Sequence, residues 1–543
     1  MKSFQNFTAA VISAASFIAA ASAHATPGHI TALSATTLER SGYLEISGTN
    51  FGTNGSVLIN GLAAPVADWQ SIKIVAYVPE AAQLASVPVQ VVNTLGEASN
   101  SINLTVTARQ PDGRVNWRFR QDGPYSKVRP VIGPDGTIYS IDVFSHLYAL
   151  TADGGLKWVV RGAGTKALAV GADNTVYTAS ESDIKAFNPD GTSKWTYVEN
   201  PMALFLVGMS VGPDGNIYVV ATEGVGAFSL TPAGVLRWKQ PEPYDAQEPV
   251  EYQELVFGLN GSITQLYYYA NSHLKALRLD GGTAWTLNSD FGQPAVSPLD
   301  GSIHAPFGAY SPNGPLMWIF SSPYPYNTSS PPDIGSDGTH YFVQNTIQLF
   351  GLTPTGTQKW QVTMRDSGDN AIVDPQNTQL VLGSATTLNN PGYIKSASTQ
   401  DGHELWRVTL PKEAGFNQFP DSRARFSPDG TTAYLMTATA TGDNNTSRSF
   451  LYALDASLGT ATDVVTVTAA QYDTARGLLQ VNATDSDPNA TLQAYVTSTN
   501  ALIGNLRKNA TGYVGKFSWP SNPQNITVKS NLGGSASANV RAR

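Results

Sequence analysis

The sequence predicts an all-β protein, an eight-bladed β-propeller flanked by two small β-sandwiches. Three observations carry that expectation. Charged residues make up only 14% of the 543-residue chain, while 49 Gly and 33 Pro stand beside 23 Tyr and 20 Phe, a mixture of turn-formers and strand-formers. Eight Trp residues recur from Trp117 to Trp406 at intervals of 33 to 47 residues, the length of a four-stranded propeller unit. On either side of that repeat, short runs alternate apolar and polar side chains in the two-residue period of half-buried strands.

The first 25 residues hold one early cation, Lys2, an apolar run closing on Phe17-Ile18-Ala19-Ala20-Ala21, and small residues at Ala21-Ser22-Ala23 and Ala23-His24-Ala25. The pattern predicts a secretory signal peptide cleaved after Ala23 or Ala25, too short to span a bilayer. The chain has no Cys. That excludes disulfides, thiolate metal sites, a cysteine nucleophile and lipidation at a cysteine following the signal. No later apolar run predicts a transmembrane helix. The expected location is therefore periplasmic, secreted or on the cell surface, and not that of a lipoprotein. A net charge of −8 argues against a nucleic-acid partner.

Residues 26–108 form the first expected domain. Runs such as LEISGTNFG (44–52), SVLINGLAA (56–64) and IKIVAYVP (72–79) alternate and are punctuated by Gly or Asn, as a meander of hairpins requires. ISGTNFG at 46–52, VLING at 57–61, Trp69 ahead of Ile72, Val78-Pro79 and GEASN at 96–100 make this segment resemble the IPT/TIG family of immunoglobulin-like domains. The resemblance spans about 28–108 and implies an interaction or spacer module without catalysis.

Residues 109–462 form the expected propeller. Trp117, Trp158, Trp195, Trp238, Trp285, Trp318, Trp360 and Trp406 mark one phase of one pattern. A strand closes in a tight turn, as in VIGPDG (131–136), AVGADN (169–174), SVGPDG (210–215), VFGLNG (256–261), DIGSDG (333–338) and RFSPDG (425–430). An aromatic-bearing strand follows, and then a third strand and turn lead to a polar residue or cation before Trp, as in LYALTADGGLKW (147–158) and IKAFNPDGTSKW (184–195). The Asp-Gly and Asn-Gly pairs supply the positive φ of short hairpins. LYALDASLGT (451–460) has the third strand without a Trp after it, and GRVNWRF (113–119) has a Trp strand with nothing before it. The two are expected to pair and close the ring, which removes an open sheet edge. Eight blades are expected, with seven as the fallback because 302–318 is compressed. The LYAL, DG or TG, then W pattern resembles the PQQ-like repeat of quinoprotein alcohol dehydrogenases and of an outer-membrane assembly factor. That resemblance implies the fold; it leaves activity open.

Residues 463–543 again read as strands and are expected to form an immunoglobulin- or fibronectin-like sandwich. They carry seven Lys or Arg against four Asp, opposite in sign to the chain as a whole. The opposition would dock this domain on the acidic propeller, or simply reflects an uneven distribution.

The residues point to no catalytic centre, no metal and no cofactor. A quinone site would need carboxylate and amide oxygens around Ca²⁺, a carboxylate base and flat groups on the ring. The family's adjacent-cysteine ring is missing, and the eight repeat Trp, with Trp69 and Trp519 in sandwich strands, leave no indole for its floor. His29, His146, His273, His304, His340 and His403 are scattered and read as isolated strand or turn residues. Asp485-x-Asp487-x-Asn489 starts like a Ca²⁺ loop, but Ala490 and Val496 stand where the turn Gly and the Glu ligand belong.

The enlarged links between repeats offer the better lead. Segment 240–255 brings Tyr244 and Tyr252 among five carboxylates, 321–333 presents Tyr324 and Tyr326 on a Pro-stiffened frame, and 410–426 adds Phe416, Phe419, Arg423 and Arg425. Aromatic rings beside charges on one rim suit a glycan or a polypeptide from the envelope; the same links are also the cheapest place for insertions. The expected function is that of an exported, non-enzymatic binding or scaffold protein. The competing readings are a diverged quinoprotein or polysaccharide-active enzyme, and a periplasmic or outer-membrane assembly factor. Oligomeric state is left open.

Overall fold

The computed structural model describes residues 27–124, 128–198, 206–221, 226–241, 255–261, 263–270, 273–288, 293–324, 330–364, 369–384, 392–439, 447–458, 465–486, 490–499, 501–509, 511–530 and 534–543. They are all-β, and none lies in a helix. The many four-stranded sheets are consistent with a β-propeller of the PQQ-like kind.

Residues 29–107 build two sheets of four and five strands around one apolar core. Strand Tyr43–Thr49 shows the logic: Leu44 and Ile46 are fully buried while their neighbours in sequence are not, as a two-residue period demands.

Seven sheets of four consecutive antiparallel strands follow. Sheet 1 contains Val131–Ile132, Ile138–Ile141, Leu147–Leu150 and Leu156–Val160; sheet 2 runs from Ala167–Val170 to Ser193–Val198, and sheet 3 from Leu206–Val211 to Leu236–Gln240. Sheet 4 runs from Val256–Asn260 to Thr283–Asn288, sheet 5 from Ala295–Val296 to Leu316–Ile319, sheet 6 from Asp333–Ile334 to Gln358–Thr363, and sheet 7 from Asp369–Val373 to Glu404–Thr409. The middle strands are largely buried on both faces, because each sheet is covered on both sides by its neighbours. Sheet 8 combines Gln418–Pro420, Arg425–Phe426, Thr432–Thr439 and Ser449–Asp455 with the early strand Val115–Arg120. Trp117 sits opposite Ala453 and Phe119 opposite Leu451 in an antiparallel register.

Apolar clusters join sheets 1 and 2, 2 and 3, 3 and 4, and 4 and 5. Others join 5 and 6, 6 and 7, and 7 and 8. A further cluster contains Trp117, Leu451 and Tyr434 of sheet 8, Ile138 and Tyr148 of sheet 1, and Val75 and Tyr77 of the N-terminal unit. The N-terminal unit thus packs where sheet 8 meets sheet 1.

Residues 465–542 form two more sheets over their own core, in the orders 507–509, 512–518, 478–485, 465–473, 541–542 and 502–505, 492–496, 525–530, 535–539. The longer strands of this segment, which read as strands in the sequence, are 465–473, 478–485, 492–496, 512–518 and 525–530. The short strands at 502–505, 507–509, 535–539 and 541–542 are additions to that expectation, because they are too brief or too small-residued to show a period.

Candidate functional site

The repeat residues are used up in joining sheets. Trp117 Nε1 donates to the Ala152 carbonyl at 2.9 Å, Trp158 to Pro189 at 2.9 Å, Trp195 to Pro232 at 2.9 Å and Trp238 to Leu279 at 2.9 Å. Trp285 donates to Pro312 at 2.9 Å, Trp318 to Pro354 at 2.8 Å and Trp360 to Thr399 at 3.0 Å. Each acceptor lies in the last hairpin turn of the following sheet, and Trp117 on sheet 8 reaches sheet 1. A turn glycine lets the indole approach: Gly154 has φ of +86°, and a Cβ there would lie 2.7 Å from the Trp117 ring. Trp406 departs from the rule. Its Nε1 donates to Gln379 Oε1 at 3.0 Å, and Gln379 Nε2 passes the contact on to the Ala456 carbonyl. The Arg114 guanidinium lies 5.3 Å from the Trp406 ring centre while donating to the Asp455 and Ser457 carbonyls.

The cation before Trp has a similar duty. Lys157 Nζ meets Thr137 Oγ1 at 2.8 Å and Asp135 at 3.5 Å; Lys194 meets Thr175 at 2.9 Å and Asp173 at 3.5 Å. Arg237 pairs with Asp214 at 3.6 Å and Lys359 with Asp337 at 3.8 Å. Burial opposes ionisation of Asp135, but hydrogen bonds from Thr137 and the Lys157 charge outweigh it and hold the carboxyl below its usual range. These carboxylates are turn staples rather than acid–base groups.

Of the residues expected on a rim, Tyr244, Tyr252 and Tyr326 lie outside the described residues. Tyr324 is half-buried: its ring centre is 6.3 Å from that of Phe350, and its hydroxyl accepts from Gln361 Nε2 at 2.8 Å. Phe416 is 41% exposed, projecting from a small bridge between Glu413 and Phe416. Phe419 is half-buried on strand Gln418–Pro420, opposite Ala438.

Arg423 and Arg425 flank buried Ala424 where the chain enters strand Arg425–Phe426 of sheet 8. Arg129 Nε donates to the Ala424 carbonyl at 2.7 Å, and Arg423 Nη2 reaches the Pro332 carbonyl at 3.4 Å. Next to Pro332, Asp333 Oδ2 accepts from the Val373 amide at 2.9 Å. Burial pushes the Asp333 carboxyl above the usual range, against the pull of the Arg423 guanidinium, the Val373 amide and the Arg129 guanidinium. Arg129 and Arg423 thus gather around the Asp333 carboxylate. Arg129 and Asp333 escaped the sequence reading, although a signal existed: among the six turn motifs quoted above, only DIGSDG and RFSPDG begin with a charged residue.

A second polar group fills the junction of the N-terminal unit with sheets 8 and 1. Buried Asp142 accepts from the Gly123 amide at 2.8 Å, His146 Nδ1 at 2.9 Å and the Tyr148 hydroxyl at 2.8 Å. The Asp122 amide donates to the Tyr148 hydroxyl at 3.0 Å, and Tyr43 donates to Asp122 Oδ1 at 3.0 Å. Arg120 lies 3.8 Å from the Tyr43 ring centre. Nearby, Arg109 grips Glu80 with two bonds of 2.7 and 2.9 Å. His146, read from sequence as isolated, is thus part of a network. Burial lowers its pKa, but the hydrogen bond and charge of Asp142 prevail and raise it.

His304 and His340 meet through their Nδ1 atoms at 3.0 Å between sheets 5 and 6, and Ser302 Oγ lies 2.8 Å from His304 Nε2. Burial lowers the His304 pKa to about 4 and takes His340 well below its ordinary value. Both stay neutral at physiological pH. Among the described residues no three His, Cys, Asp or Glu side chains group as a metal site. Asp487 and Asn489 lie outside the described residues.

No helix among the described residues is long and apolar enough to cross a membrane. Two solved structures are similar over 62% of this chain. "The crystal structure of BamB from Moraxella catarrhalis" has 12% identity and a TM-score of 0.46, with 98% of that chain covered. A streptogramin B lyase structure has 14% identity and a TM-score of 0.39, with 97% covered. No curated protein matches. The family model described as outer membrane protein assembly factor BamB matches residues 103–267.

Proposed function

We propose that this chain is a non-enzymatic scaffold of the cell envelope that binds polypeptides on its propeller, in the role of an outer-membrane assembly factor. The observation that carries this reading is the match of residues 103–267 to that factor's family model. The Asp, Thr and Lys residues of the repeats are engaged in turn staples, which leaves recognition rather than chemistry to the links between sheets. The partner is a protein, met by Phe416, Phe419, Arg423 and Arg425 with Tyr244, Tyr252, Tyr324 and Tyr326.

In the same reading, sheets 1 to 8 are the eight blades of one closed ring over 109–462. The unbroken series of shared cores and the Trp117 contact with Ala152 support it. Residues 26–108 are an IPT/TIG-type sandwich, 463–543 an immunoglobulin-like one, and 1–25 a cleaved signal peptide that delivers the protein to the periplasm or outer membrane.

The test is depletion in the source cell, combined with a photo-crosslinker placed at Phe416. Reduced β-barrel protein in the outer membrane, with crosslinks to an envelope polypeptide, is expected. Unchanged barrel content without crosslinks would overturn the reading, as would dye reduction restored by quinone and Ca²⁺.

A further inference from the structure

From residue 488 to 543 the sequence contains six Lys or Arg and no Asp or Glu. The fold of the C-terminal unit gathers part of that charge on one face. In its five-stranded sheet, Leu479, Val481, Ala483, Tyr472 and Tyr513 point into the core. Residues alternate between faces along a strand, so Gln480, Asn482, Gln471, Val514 and Lys516 point outward. Lys516 stands opposite Gln480, Gln480 opposite Gln471, and Gln471 opposite Arg541. In the next row Arg507 is opposite Val514 and Val514 opposite Asn482. Cations therefore line both edges of the face, with amides between them. Three strand spacings separate Lys516 from Arg541, about 14 Å.

These cations differ from those of the repeats. Lys157, Lys194, Arg237 and Lys359 are each paired with an Asp. Arg507, Lys516 and Arg541 are exposed, and among the described residues none makes an ion pair. Arg543 donates to Gln471 Oε1 at 3.3 Å, and Gln480 Nε2 lies 3.5 Å from Asn482 Oδ1. Among the described residues one carboxylate shares the face: Asp473, at a corner, caps the Ala475 and Arg476 amides and lies 3.9 Å from the Arg476 guanidinium. A field of one sign, fixed on a rigid sheet, concentrates ligands of the opposite sign.

We propose that this face binds an acidic polysaccharide. The edge cations meet its carboxylate or sulfate groups, and the amides of Gln471, Gln480 and Asn482 meet ring hydroxyls. The other polyanions fit less well. The large apolar side chain exposed on this unit, Leu502, belongs to the other sheet, so the face has no anchor to sink into a bilayer. Tyr472 and Tyr513 are turned into the core, so unpaired bases find no ring to stack on.

The test uses the full chain on immobilised polygalacturonate, with neutral dextran as control, and a variant carrying Arg507→Gln, Lys516→Gln and Arg541→Gln. Retention on polygalacturonate but not dextran is expected, with elution as salt rises and binding about tenfold weaker in the variant. The variant's thermal unfolding should match the parent's, and Lys516→Arg should bind as the parent does. The proposal is overturned if the parent is not retained or if the triple variant binds equally. Equal or tighter binding to vesicles of phosphatidylcholine and phosphatidylglycerol, or to single-stranded DNA, overturns it too. None of these readouts depends on the propeller's role in assembly.

Discussion

The Trp117 indole donates to the Ala152 carbonyl across 2.9 Å, and Gly154, two residues on, lies flat beneath the ring with φ of +86°. One contact thus ties a strand of sheet 8, contributed from the beginning of the repeat region, to the last hairpin of sheet 1. Gly154→Ala loses twice, since Cβ is strained at that φ and collides with the indole. Gly136, with φ of +79° and open space for 4 Å around the place a Cβ would take, loses only the first way. Denaturant unfolding should show Gly136→Ala costing about 1 kcal/mol. Gly154→Ala should cost a further 1–3 kcal/mol, roughly the penalty of overpacking. Equal losses would mean that the indole contact contributes nothing.

Gln379 replaces the direct contact between Trp406 and the following sheet. It accepts from the indole and donates to Ala456 in a fully buried setting. Gln379→Leu strands the Trp406 and Ser396 donors and the Ala456 acceptor together, so a loss of about 2–4 kcal/mol is expected. Amide exchange in Ser449–Asp455 should accelerate more than in sheets 2 and 3.

The N-terminal unit is seated by Tyr77, which stacks on Phe119 with ring centres 5.0 Å apart and donates to the Arg120 carbonyl at 3.1 Å. Tyr77→Phe removes only the hydrogen bond and should cost about 1 kcal/mol. Tyr77→Ala opens a cavity at the junction, for about 3–5 kcal/mol. Limited proteolysis of the 108–114 link should quicken only in the Ala variant.

Much of the architecture was legible in sequence because it repeats. One Trp per unit, with Asp-Gly turns at matching offsets, locates strands that no single window would reveal, and the unpaired Trp117 strand indicates its partner near Leu451. The rim was less legible. Aromatic content drew attention to Tyr324, whose hydroxyl and ring are engaged by Gln361 and Phe350. The arginine cluster, by contrast, depends on Arg129 and Asp333, brought to Arg423 from sheets far apart in sequence. His146 looked solitary for the same reason: of its network, Asp142 and Tyr148 are neighbours on the chain, while Asp122 and Tyr43 arrive through the fold.

Two sets of histidines set the pH range of stability. The folded-state pKa of His146 lies above its ordinary 6.5, so its contribution is complete below pH 6.5 and fades as pH rises through the raised value. His304, at about 4, and His340 are held neutral. The unfolded chain takes up their protons as pH falls from 6.5 towards 4, and stability drops. Thermal melts across pH should therefore peak near 6.5. His146→Gln should lower the peak and flatten the alkaline side, while the acid side drops by a constant amount with its slope unchanged.

Asp333 and Arg423 provide the sharpest test of the rim. Burial raises the carboxyl's pKa, and the Arg423 and Arg129 charges restrain that shift. Arg423→Ala removes one restraint, so the carboxyl's pKa climbs further and stability at neutral pH falls, with part of the loss recovered on acidification. Asp333→Asn should then cost less in the Arg423→Ala background than in the parent, giving a positive coupling in a double-mutant cycle. If the rim recognises polypeptide through its guanidiniums, Asp333→Asn by itself frees Arg423 for an acidic partner and tightens binding of a poly-glutamate peptide. Arg423→Ala weakens that binding. Additive unfolding energies together with unchanged peptide binding would reduce these residues to ordinary wall side chains and remove the rim from the proposed function.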